Sequence, residues 1–167
     1  MKLIIEPTSV AQLQTFIQDA GKTSNIQLSE EIESYLVYML LRYLDNPSAF
    51  SRALATDLLN AKNQTGEVRK ISLIDTGDRS IIVAGLFPKL AKKRLVTVNY
   101  YVDLAYSAYD QVANLSRKDK NQKMFQELTR RVIDMVVLLS YTRPENSHQF
   151  VAPRAYAEFL NHHEIVH

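Results

Sequence analysis

Val132-Ile133-Asp134-Met135-Val136-Val137-Leu138-Leu139 decides the fold. Seven of these eight residues are apolar, so no single stripe faces a core. A helix that is apolar nearly all round must be covered on several sides. Upstream, Phe125 and Leu128 continue the three- and four-residue spacing. The pattern predicts one buried helix over about 121–140, the central element of an all-α bundle.

The residues on either side repeat the helical period. Ser29 precedes Glu30, Glu31 and Glu33, acids suited to the positive end of a helix dipole. Behind them Ile32, Tyr35, Leu36, Met39, Leu40 and Tyr43 form an apolar stripe. Ser9 is read as the cap of a helix through Val10, Leu13 and Ile17 that stops at Gly21. A third helix is read from Pro47 or Ser48 through Phe50 to Ala61. Thr97 caps a helix carrying Tyr101, Val102, Ala105, Ala108, Tyr109 and Val112, and Pro153 sits in the first turn of a terminal one. With only four glycines and five prolines the chain has too few turn residues for a sandwich or barrel. Residues 1–167 are therefore expected to form a single domain of six to eight helices.

Residues 68–95 divide differently. Ile71, Leu73 and Ile74 precede Asp75-Thr76-Gly77, which reads as a helix end. Asp78 is then positioned to cap a second, short buried helix over Ile81–Phe87, in which Gly85 admits a neighbour.

The absence of cysteine removes disulfides, thiolate metal sites and cysteine nucleophiles, and fits a reducing compartment. The N-terminal apolar run is too short for a signal peptide, and no run of about 18 apolar residues encodes a span. A cytoplasmic location without membrane attachment is expected. Residues 1–60 hold four basic and seven acidic groups, whereas residues 79–131 hold eleven basic and four acidic. The basic middle includes Lys89, Lys92, Lys93 and Arg94. No nucleic-acid reading element accompanies it, so nucleic acid is not the expected partner, and binding of nucleic acid or an acidic partner through this stretch is an alternative reading.

The candidate binding residues are Asp78 and Arg79, a carboxylate and a guanidinium at the expected junction, with Tyr100, Asp103 and Tyr106 on the following helix. At the C-terminus His163-Glu164-Ile165-Val166-His167 matches H-E-x-x-H, which would put two imidazoles on one helix face with a glutamate beside metal-bound water. A catalytic zinc requires a third protein ligand, and a terminal turn frays. His163 and His167 thus define only an alternative zinc-hydrolase reading; no metal or cofactor is expected.

Gly77-Asp78, Ala84-Gly85-Leu86-Phe87-Pro88, Tyr100-Tyr101 and Ala108-Tyr109 form a spaced series. Over residues 77–109 it resembles a family of bacterial proteins of unknown function sharing Gly-Asp, Ala-Gly-x-Phe-Pro, Tyr-Tyr and Ala-Tyr. The resemblance implies a bacterial origin and a helical fold, and it brings no activity. Near Ala105 the family pattern has glycine. With no nucleophile, base and orienting group in sight, the function expected is non-enzymatic: contact with a protein partner, or self-association into a homo-oligomer.

Overall fold

The computed structural model describes residues 7–44, 46, 50, 54–117, 119–146 and 153–166. Among them there are nine α-helices and no strand: α1 Pro7–Ser24, α2 Glu30–Leu44, α3 Leu54–Ala61, α4 Gly66–Leu86, α5 Pro88–Lys93, α6 Val98–Leu115, α7 Gln122–Arg130, α8 Val132–Ser140 and α9 Arg154–Val166. One hydrophobic core joins them. The proposed opening of a third helix at Pro47 or Ser48 lies outside the described residues; α3 begins at Leu54.

Side chains cap two helices, at Thr97 as expected and also at Ser29, whereas Ser9, read as a cap, lies inside α1. Ser29 Oγ accepts from the Ile32 N–H at 3.3 Å, and Thr97 Oγ1 accepts from the Tyr100 N–H at 3.2 Å. At α1 the stop lies later than Gly21. The helix runs to Ser24, and Asn25 takes the left-handed turn at φ 58°, a conformation asparagine tolerates. The Ile26 N–H then closes the end onto the Gly21 carbonyl at 2.9 Å.

The centre of the bundle is α4, which packs against α3, α5, α6 and α8. Every residue from Thr76 to Phe87 is buried. The expected break at Asp75-Thr76-Gly77 does not occur, and Asp78 caps nothing. The polar side chains that read as a junction are satisfied along the helix itself. Thr76 Oγ1 donates to the Ser72 carbonyl at 2.9 Å and Ser80 Oγ to the Thr76 carbonyl at 2.7 Å. Asp75 and Arg79 pair one turn apart.

The segment expected to be central is split by Arg131 into α7 and α8. The interruption is slight, since the Met135 N–H still donates to the Arg131 carbonyl at 2.9 Å. Helix α8 buries Val132, Met135, Val136, Leu138 and Leu139 but leaves Ile133 and Val137 exposed, so it flanks the centre. Gly85 is where α8 approaches α4: a Cβ there would lie 2.6 Å from Leu139 Cβ and 3.2 Å from the Val136 carbonyl oxygen.

Candidate functional site

Two polar clusters sit on one side of α4, and they contain the charged residues the core has buried. The first surrounds Asp78, which is 0% exposed. Its Oδ1 accepts from Tyr35 Oη of α2 and from Tyr109 Oη of α6, each at 2.7 Å. Its Oδ2 lies 3.3 Å from the Arg42 guanidinium, an ion pair without hydrogen-bonding geometry. Arg42 is half-exposed and stacks over the Tyr43 ring at 5.5 Å, so it forms the solvent side of the cluster. The rings of Tyr35, Tyr109 and Phe125 pack on one another, with centroids 6.1–6.5 Å apart.

Helix crossing explains why Tyr109 reaches this point. Gly77 has no side chain, and a Cβ there would lie 2.5 Å from Tyr109 Cε1. The ring occupies the space a side chain at Gly77 would take, and its hydroxyl ends at the next residue, Asp78. Burial raises the Asp78 carboxyl to about 6, while the hydrogen bonds from Tyr109 and Tyr35 and the charge of Arg42 hold it down. Burial first, and then the Asp78 charge, drive the Tyr35 and Tyr109 hydroxyls well above the usual tyrosine range. These phenols stay protonated and act as fixed donors.

The second cluster surrounds Arg79, which is 1% exposed. Its Nη2 lies 2.6 Å from Asp57 Oδ2 of α3 and 2.8 Å from Asp75 Oδ2, and its Nε donates to the same Asp75 oxygen at 2.9 Å. Tyr43 Oη donates to the other Asp75 oxygen. Together the clusters hold three carboxylates and two guanidiniums. They tie α2, α3 and α6 to α4.

The candidate residues separate accordingly. Asp78 and Arg79 are neighbours in sequence but serve different clusters, each closed by other helices. Asp103 is exposed on α6, and Tyr100 and Tyr106 are half-buried. Tyr100 packs edge-on against the adjacent Tyr101 ring, with centroids 5.4 Å apart. The α6 tyrosine that joins Asp78 is Tyr109, assigned to the core stripe in the sequence. Tyr35, Arg42, Tyr43 and Asp57 also went unselected. The available signal was spacing: Tyr35, Arg42 and Tyr43 fall seven and eight residues apart, on neighbouring edges of one helix. In the basic middle, Lys89, Lys92 and Lys93 are exposed, whereas Arg94 turns inward and donates to the Phe50 carbonyl at 2.5 Å.

His163 and Glu164 fall in the last turns of α9, and His167 lies outside the described residues. Among the described residues no three His, Asp or Glu side chains converge as a metal site, and no helix is long and apolar enough to cross a membrane. No family model, no curated protein and no solved structure matches the chain.

Proposed function

We propose that the chain works through protein–protein contact rather than catalysis, with a second copy of itself as the partner that its charge pattern fits. One contrast carries this reading. Asp78 and Arg79 are closed off from solvent, whereas Leu59, Val68, Ile71 and Leu95 all stand more than half exposed. A buried charged cluster fixes how helices register and offers nothing to a substrate. Val68 and Ile71 lie three residues apart on one face of α4, and adjoining exposed apolar side chains make the kind of patch that meets other molecules. An acidic N-terminal third and a basic middle favour contact between unlike faces of two copies. The setting proposed is a bacterial cytoplasm, supported by the lack of cysteine and by the resemblance over residues 77–109.

Sedimentation velocity over a concentration series tests the reading. The weight-average mass is expected to rise with concentration. A chain that stays monomeric up to about 1 mM, the range of the weakest specific contacts, would remove self-association.

A further inference from the structure

The turn between α5 and α6 presents one residue in an unusual state. Leu95 is 93% exposed and has φ +59°. The left-handed conformation is unfavourable for a leucine, and an asparagine or glycine would take it more easily. The side chain makes no contribution to the core, so the fold requires neither its size nor its apolar character. Lys89, Lys92 and Lys93 stand exposed on α5 just before it. The corner is an apolar knob with a basic collar.

A surface of the opposite kind lies between the C-terminal end of α1, the N-terminal end of α2 and α8. It is an open groove of about 420 Å³ whose apolar lining comes from Ile17, Ile26, Leu28 and Leu138. Glu33, also in the lining, is held in place by Gln18 Nε2 at 2.9 Å. Glu30 and Glu31 stand exposed in the same first turn of α2. Lys22 is the one basic side chain among the described lining residues.

We infer that Leu95 of one copy seats in this groove of another, with Lys92 and Lys93 facing Glu30 and Glu31. The inference rests on the self-association proposed above and specifies its two faces. Each contact uses the knob of one copy and the groove of the other and leaves a groove free at one end and a knob at the other, so association is head-to-tail. It grows beyond a dimer or closes into a ring. The charged part of the contact weakens with salt.

Five chains test it by sedimentation velocity at low salt: the natural one, Leu95→Asn, the double variant Lys92→Glu/Lys93→Glu, the double variant Glu30→Lys/Glu31→Lys, and the four-fold charge exchange. Leu95→Asn is expected to lose association while its melting temperature rises, because asparagine suits the left-handed turn. A folding defect would move both in the same direction. Each double charge reversal alone is expected to stay monomeric, since knob and groove then carry like charge. Mixing the two reversals restores growth, and the four-fold exchange in one chain restores it as well. Mixing Leu95→Asn with Glu30→Lys/Glu31→Lys leaves one working knob and one working groove, and gives a dimer that grows no further. If the natural chain associates and Leu95→Asn associates equally, the inference is overturned while self-association stands. If the natural chain is monomeric throughout, both are overturned.

Discussion

Gly77 provides the space in which the Tyr109 ring lies, 2.5 Å from where a Cβ would stand, and the Tyr109 hydroxyl then reaches Asp78 at 2.7 Å. A missing side chain and a long one thus specify the α4–α6 crossing together. The glycine is in a helix, where it costs about 1 kcal/mol relative to alanine. That cost is offset by a close approach that any Cβ would prevent.

Gly77→Ala is therefore expected to destabilise the protein despite its better helix propensity. Overpacking against a ring held by buried neighbours costs about 1–3 kcal/mol, and the propensity gain returns about 1 kcal/mol. In a Tyr109→Leu background the same substitution should stabilise, because the ring it meets is gone. Urea unfolding of the four chains of this double-mutant cycle measures the coupling. An equal effect in both backgrounds would mean that Tyr109 does not set the crossing.

Tyr109→Phe and Tyr35→Phe each remove one donor from a buried carboxylate oxygen. Hydrogen bonds to a charged group contribute about 1.5–3 kcal/mol, and each variant should lose that order of stability at neutral pH. The Asp78 titration, followed by carboxyl carbon NMR, should move above its value of about 6 in both. A titration that stays in place would show that the hydroxyls do not face the carboxylate.

The helical class and the cap at Thr97 were legible because each depends on neighbours within one or two turns, and the close approach at Gly85 because a glycine inside an apolar run leaves room for whichever helix packs there. The run of α4 through Gly77 was not. Asp75, Thr76, Gly77 and Asp78 have the chemistry of a helix end, and only partners on α2, α3 and α6 hold them inside one. The same limit explains the site residues. Asp78 and Arg79 stand out as charges beside an apolar run, but apart from Asp75 the side chains that complete each cluster lie 22 to 43 residues away in sequence. Local pattern cannot select Tyr109 over Tyr100 or Tyr106, because the choice depends on which face of α6 meets Gly77.

Arg79 is buried, but Asp57 and Asp75 keep 20% and 38% of their side-chain exposure, so water reaches the carboxylates left behind. Arg79→Ala should therefore cost less than the roughly 3–5 kcal/mol of a fully buried pair, on the order of 2–3 kcal/mol. Arg79→Lys keeps the charge but replaces a planar fork by one ammonium, which cannot reproduce the Nε and Nη2 contacts together. It should recover only part of the loss. Thermal and urea unfolding of the three chains should rank natural, Lys and Ala in that order; a lysine variant equal to the natural chain would show that charge alone matters.

Stability should also depend on Asp78 in a direction opposite to most carboxylates. Its ordinary value is 3.8, and in the folded protein burial raises it to about 6. The folded chain therefore holds this proton at pH values where the unfolded chain has released it. Between about pH 4 and 6 the folded state binds more protons, so the contribution of Asp78 favours folding at the acid end and is lost as pH rises through 6. At 1.36 kcal/mol per unit, the difference amounts to about 3 kcal/mol across the window. Charge balance points the same way: with Asp78 neutral, Asp57 and Asp75 match Arg42 and Arg79, and with Asp78 ionised the two clusters carry one surplus negative charge. Other carboxylates titrate in the same range, so the test is a difference. Unfolding free energy measured from pH 4 to 8 for the natural chain and for Asp78→Asn, which keeps an oxygen acceptor for Tyr35 and Tyr109, should diverge by that amount. The natural chain should lose stability relative to the variant up to pH 6 and hold a constant offset above it. Parallel curves throughout would show that Asp78 ionises inside the fold as freely as in the unfolded chain.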